Sequence, residues 1–390
     1  MKTRILQSIV FIITCGAYFG LTEIATANDL ILRTQWTSDT NSEIFNWNGS
    51  CKTKGFQWFS TEKIGFSSVY SNDVTLDMAL KTGCVISQSN SAGLTGTVSS
   101  FVDTTFHSMV AYDVFEDWQP FLSFDMNVPT GKATLFGNEK NAIMDRDLVS
   151  QTRFGEGANF NPGIGVTIPL SKRLISSVAV GYNFRGAYVP DGDSGYLYNP
   201  GNQFIATFGL NYLYDSWLVA LNAIYINERQ SSLGGLPYFK PGDSYTKTGL
   251  LAYKWTPRNT TKFSVAINSV KKNQITDFFS GGYVNEEKNS NSTVYIVSLA
   301  HTLDANDRLS YTVSASYLLR DKNQYEPQSD FFISAKKKLS TELNLQYKYN
   351  NKITATIGAG VFELNQDSTP YLDAQHYFGV NGNANIKILL

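Results

Sequence analysis

Residues 343–361 read LNLQYKYNNKITATIGAGV. Leu343, Leu345, Tyr347 and Tyr349 alternate with Asn344, Gln346 and Lys348, and Asn350-Asn351 turns the chain. Ile353, Ala355, Ile357, Ala359 and Val361 then alternate with Lys352, Thr354, Thr356, Gly358 and Gly360. This is a hairpin with one oily face on each strand. A soluble sandwich would bury that face against a second sheet. Here the pattern recurs nearly to the C-terminus, with aromatics at strand ends and no long helical period. A transmembrane antiparallel up-and-down β-barrel, apolar outside and wet inside, has this pattern.

Working outward, the same pattern fills the chain after residue 158. Phe204, Ala206, Phe208, Leu210, Tyr212 and Tyr214 share one parity, Asp215-Ser216 turns, and Trp217, Val219, Leu221, Ala223 and Tyr225 follow. Trp217 and Tyr225 are eight residues apart, roughly 26 Å along a strand, close to the height of an apolar band between aromatic girdles once tilted. Short connections near 169–173, 215–216, 256–260, 304–307 and 350–351 alternate with long polar ones near 186–202, 229–243, 271–291, 320–328 and 364–374. Outer-membrane barrels keep short turns in the periplasm and long loops outside. Phe331, Ile333, Ala335, Leu339, Leu343, Leu345, Tyr347 and Tyr349 are all odd-numbered, which predicts one long strand across 329–349.

Counting back from the C-terminus predicts eleven strands after residue 158. Residues 102–114, 119–127 and 74–80 bring the total to about fourteen, or sixteen if 62–71 and 88–100 also pair. Residues 1–27 carry Lys2 and Arg4, an apolar run to Leu21 and a small-residue site at Ala25-Thr26-Ala27, the pattern of a secretory signal peptide. Residues 28–62 lack alternation and are expected to form a periplasmic extension or a plug, with the barrel spanning 63–390. Ile386, Ile388 and Leu390 end the chain in the manner of a signal to the barrel-insertion machinery. The expected location is the outer membrane, with its lipid as the first partner.

Charge is nearly balanced, 32 basic against 33 acidic residues, which gives no electrostatic case for nucleic acid. Cys51 and Cys84 lie beyond the leader and, in an exported chain, are expected to form a disulfide. His107, His301 and His376 fall on separate strands, without metal-ligand or catalytic spacing, so no enzyme, metal or cofactor is expected. Asp191-Gly192-Asp193-Ser194-Gly195 only partly matches a calcium loop, since the closing Glu is missing. Parity points Asp77, Asp103, Asp113 and Asp125 into the lumen from the early strands. It points Lys254, Lys262, Arg308, Lys336, Lys338, Glu342, Lys348 and Lys352 inward from the later ones. Of these, Asp103, Asp113, Asp125, Lys254, Arg308, Glu342 and Lys348 are the pore-lining candidates; opposed acidic and basic walls would orient polar solutes.

Val128-Pro129-Thr130-Gly131, Phe154-Gly155-Glu156-Gly157 and Asn161-Pro162-Gly163-Ile164-Gly165-Val166 frame the longest loop. Over about residues 119–186 this resembles the outer-membrane channels associated with phenol meta-pathway degradation, and more distantly the fatty acid and hydrocarbon transporters. The resemblance implies a barrel channel for passive passage of small solutes, organic or aromatic ones among them. Loop 128–158 would fold over or into its mouth. The competing expectation is a structural or adhesive surface protein with a packed lumen.

Overall fold

The computed structural model describes residues 34–390 apart from 51, 72–73, 92, 114–117, 278–281 and 370. Sixteen antiparallel strands close into one barrel. They are β1 Thr34–Gly49, β2 Lys54–Ser71, β3 Val74–Ser91, β4 Leu94–Tyr112, β5 Gln119–Val128 and β6 Asn159–Ser171. Then come β7 Leu174–Arg185, β8 Gln203–Tyr214, β9 Trp217–Glu228, β10 Ser244–Thr256 and β11 Asn259–Val270. The last are β12 Val294–Asp304, β13 Leu309–Arg320, β14 Lys336–Lys348, β15 Ile353–Gln366 and β16 Gln375–Leu389. Each pairs with its sequence neighbour, and β1 pairs with β16 from Thr37↔Leu389 to Gly49↔Tyr377.

Sixteen strands match the larger of the two counts the sequence allows, not the fourteen of its main count. The two additions lie upstream: β1 and half of β2 occupy the segment expected to be an extension or plug. Alternation fails to show there because the two faces are mixed. Trp47 points inward and is buried, while Ile44 stands outward beside Ser42 and Thr40. Residues 88–100 supply the adjoining ends of β3 and β4, not a strand of their own. The long strand predicted over 329–349 is also shorter. It begins at Lys336, because Asn323 holds the preceding chain as a loop by donating to the Phe331 carbonyl (2.6 Å) and accepting from the Ile333 amide (3.1 Å). The expected leader and Cys51 lie outside the described residues. Cys84 stands on β3 opposite Ser60.

The wall sorts its side chains by parity. Val313, Leu339, Leu343, Ile357 and Val361 are exposed on the outside. Trp36 meets Phe66 edge-on at 4.7 Å and Trp217 lies 4.3 Å from Tyr253 at the short-turn end. Tyr225 and Tyr245 (5.3 Å) and Phe160 and Phe184 (4.6 Å) mark the opposite girdle. A closed barrel with an apolar exterior and two aromatic girdles belongs in an outer membrane. Both ends of the barrel, Thr34 and Leu389, lie at the short-turn side, which is therefore periplasmic. Outside, strands from loops 186–202, 229–243 and 271–293 join into a separate five-stranded sheet.

Val313 stands between the girdles and is 58% exposed, while its neighbour Ser314 lines the lumen. Val313→Arg is expected to cost roughly 2–4 kcal/mol of barrel stability and Ser314→Arg much less. Urea unfolding of the two variants in lipid vesicles checks the difference; equal losses would contradict this orientation.

Candidate functional site

The segment 129–158 leaves the wall and folds into the lumen. Pro129 ends β5 because it has no amide to continue the ladder. Asp103 on β4 then clasps both ends of the segment. Its carboxylate accepts from the amides of Gly131 (2.8 Å) and Glu156 (2.6 Å) and from Asn127 Nδ2 (2.9 Å). The two ends run so close that a Cβ on Gly131 would sit 2.1 Å from the Phe154 carbonyl oxygen, which explains a glycine there.

Two apolar footings hold the segment to the barrel. Leu135, Ala142 and Phe154 pack on Val85, Val98 and Val102 of β3 and β4. Met144, Leu148 and Val149 pack on Trp47 of β1 and Phe362 and Leu364 of β15. Between them lies the 3₁₀ turn Gly137–Ala142, whose Ala142 carbonyl accepts from the fully buried Ser87 hydroxyl at 2.8 Å. On the way back, Gln57 and Gln151 exchange two hydrogen bonds, 2.7 and 2.9 Å, and Ser150 donates to Glu43 at 2.5 Å. The segment thus follows the β15–β16–β1–β4 side, and its tip reaches on to β13 and β14.

Charge fixes its far tip. Asp147 is buried and receives Arg320 of β13 in a forked pair, Nε–Oδ2 3.2 Å and Nη2–Oδ1 2.9 Å. Lys336 of β14 pairs with Asp145, and Lys338 donates to the Asp147 carbonyl at 2.6 Å while lying 4.3 Å over the Phe362 ring. Burial works against the Asp145 charge, but Lys336 and then Arg320 outweigh it and hold the carboxyl down to about 2. Burial first, and Arg320 second, bring Arg146 down to about 10. The tip therefore gathers Arg146, Arg320, Lys336 and Lys338 around two carboxylates, a net positive cluster.

A second charged chain closes the segment's end. Arg153 meets Glu156 at 2.8 Å, and Arg185 of β7 meets Glu228 of β9 at 2.9 Å and Glu156 at 3.8 Å. From above, Lys140 meets Asp191 (3.0 Å) and Asp193 (2.7 Å) of the outer loop 186–202. Asp191 also accepts from the amides of Asp193 and Ser194. The calcium-like motif thus turns its carboxylates to Lys140 and its own backbone, and no cluster with a metal-binding donor set occurs among the described residues.

The sequence-predicted lining residues take different places. Asp125 faces the lumen and pairs with His107 at 2.6 Å. Glu342 faces it too, accepting from Asn344 (2.7 Å) and Asn383 (2.6 Å). Asp103 is a loop clasp. Lys254 and Lys348 follow the inward parity at the periplasmic ends of β10 and β14. Asp113 and Arg308 lie in periplasmic turns and not on the wall, because β4 ends at Tyr112 and β13 starts at Leu309. Beneath the loop tip a cavity of about 530 Å³ is lined by Glu43, Phe45, Lys338, Glu342, Asn344, Phe362, Asn381 and Asn383, among others. Sequence reading missed Asp145, Asp147 and Arg320. The signal available was the charged triplet Asp145-Arg146-Asp147 set against Lys336-Lys337-Lys338.

No protein-family model matches the chain, and the search of curated proteins finds no match. Among solved structures, the chain is similar to the COG4313 outer membrane channel from Pseudomonas putida F1, at 12% identity and TM-score 0.44, over 64% of this chain and 93% of that one. It is similar to a deltaS2 mutant of the TodX monoaromatic hydrocarbon channel, at 10% identity and TM-score 0.46, over 92% and 90%. It is also similar to OccK2 (OpdF) of Pseudomonas aeruginosa, solved with glucuronate, at 8% identity and TM-score 0.47, over 92% and 98%. Likeness of this degree assigns neither family nor solute.

Removing Arg320 leaves Asp147 buried without its counter-ion, a change that costs about 3–5 kcal/mol. Arg320→Ala is expected to free the loop tip, read as new trypsin cleavage after Lys140 or Arg146. Arg320→Ala combined with Asp147→Ala should recover much of the protection. The Asp145 anchor has a set pH range. Its folded pKa lies below the usual carboxylate value of about 3.9, so its contribution is complete above that value and is lost as pH falls through about 2. Protection at pH 4–7 should therefore not vary through Asp145, whereas approach to pH 2 should expose the loop to pepsin.

Proposed function

We propose that the protein is a passive channel that carries small solutes across the outer membrane past the lumen loop. A sixteen-stranded barrel is wide enough for an aqueous pore. The observation that carries the reading is the loop 129–158, which narrows the lumen and gathers Arg146, Arg320, Lys336 and Lys338 around Asp145 and Asp147. Cations beside a narrow passage draw the negatively charged groups of a solute, while Glu43 and Glu342 below keep the lining mixed in sign. Beneath it, amide and carboxylate side chains alternate with the rings of Phe45 and Phe362. Such a lining suits small organic solutes that combine an apolar body with a negatively charged or hydrogen-bonding group. The five-stranded outer sheet favours the second reading, a surface protein whose loops are its working part.

One experiment separates them. Deleting residues 134–152 keeps the Asp103 clasp and removes the tip. In planar bilayers the deletion is expected to raise single-channel conductance severalfold, and Lys336→Gln with Lys338→Gln to shift reversal potentials toward cations in the intact channel. If wild type and deletion both fail to conduct and liposomes holding either do not swell with any small solute, the channel reading fails and the surface-protein reading replaces it.

A further inference from the structure

The outer wall of β1–β3 departs furthest from the apolar pattern of the rest of the barrel, where polar outward residues such as Lys247 and His301 stand singly. On β1 the outward residues between Trp36 and Ile44 are Ser38, Thr40 and Ser42. On β2, between Phe66 and Trp58, Glu62 and Ser60 stand outward with Ile64, and on β3 Thr82 follows next to Leu80. Registry sets Thr40, Glu62 and Thr82 side by side across three strands. Their hydrogen bonds confirm the shared face. Ser38 donates to Glu62 Oε1 at 2.6 Å, Thr40 donates to Glu62 Oε2, and Trp58 Nε1 donates to Ser42 at 2.8 Å. The intervening residues point the other way: Gln57 holds the lumen loop and Phe59 packs beneath it.

Depth makes this patch consequential. Glu62 lies four residues from Phe66, in the periplasmic girdle, and four from Trp58 near the outer one. Eight residues of strand cover roughly 26 Å, about the apolar band once tilted, so Glu62 sits near the bilayer centre. Across the barrel the same level is held by residues such as Leu221, Leu343 and Ile357. Among the described residues, Glu62 is the charged side chain that stands outward midway between the girdles. Acyl chains offer it no hydrogen bond, and water is absent at that depth. Its two hydroxyl donors leave lone pairs unfilled, since a carboxylate accepts about four bonds.

We infer that this face is covered by a second copy of the same chain. The covering surface must lie at the same depth and supply donors and acceptors there. The patch itself does both, with hydroxyls that donate to a carboxylate and accept from other hydroxyls. Its side chains are small, and they adjoin Gly382 and Ala384 on β16, so two walls can approach closely. Each copy's Glu62 would then take bonds from hydroxyls of its neighbour, and the aromatic pairs above and below would rim the contact.

The test uses full-length protein in native outer membranes. Single cysteines at Thr40, Ser42 and Thr82, in a Cys51→Ser, Cys84→Ser background, are oxidised with copper phenanthroline. A covalent dimer of this chain is expected from at least one of them, and none from a control cysteine at Leu343 on the far wall. Glu62→Leu with Thr40→Val makes the face lipid-compatible. It should abolish the oligomer seen by size-exclusion with light scattering in mild detergent, while heat-modifiable migration shows that the barrel still folds. A wild-type monomer with no cross-link from any position overturns the inference, as does cross-linking to a different polypeptide.

Discussion

Every strand of this protein depends on the pairing of β1 with β16. In hydrocarbon an open sheet edge would leave a row of amides and carbonyls without partners, each costing several kcal/mol. The ladder from Thr37↔Leu389 to Gly49↔Tyr377 removes both edges at once. The strand that completes the circuit is also the one whose outer face is least suited to lipid. Closure is enforced by backbone hydrogen bonding, which ignores side-chain type, so β1 was free to carry hydroxyls where other strands carry Leu and Val.

Closure in turn creates the space that the loop 129–158 fills. A sixteen-stranded circle is too wide for wall side chains to meet, so a segment must enter if the lumen is to narrow. That segment has no secondary structure of its own beyond one 3₁₀ turn, and its stability comes from the wall. The wall supplies two apolar footings, the Asp103 clasp and the buried Arg320–Asp147 pair. A buried ion pair contributes little net stability against an apolar substitute, but it fixes position, because either partner alone is strongly penalised. The tip is thus held in one place, and the charged groups around it are set at a constant spot.

Where the outer face is apolar and the inner polar, the strands were legible in the sequence. β8, β9 and β12–β15 follow their alternation, and the hinge at Asp215-Ser216 and the turn at Asn350-Asn351 stand where predicted. Legibility fails where a second demand rewrites a face. Phe45 and Trp47 point inward because they support the loop, and Ser38 to Ser42 point outward, so β1 shows neither parity. Phe331 and Ile333 continue the parity of β14 but belong to a loop fixed by Asn323. Pro129, Gly131, Gly155 and Gly157 marked the bend into the lumen. The partners of the loop tip could not be found locally, since Asp147 and Arg320 are 173 residues apart.

Polarity on the outer wall and charge in the lumen therefore arise on opposite faces of the same strands. β2 offers the clearest instance: Gln57 reaches in to hold Gln151, Trp58 reaches out to Ser42, and Glu62 stands outward between two hydroxyls. A barrel strand has only two faces, and here each carries hydrogen-bonding groups beside its apolar ones. What remains to keep β2 at its depth is the aromatic girdle at each end and the ladder on both sides. The early strands meet that demand by length, with 16, 18, 18 and 19 residues in β1 to β4 against 10 to 15 in the rest. Longer ladders add backbone bonds in proportion, and these offset a wall that draws less from lipid than its neighbours do.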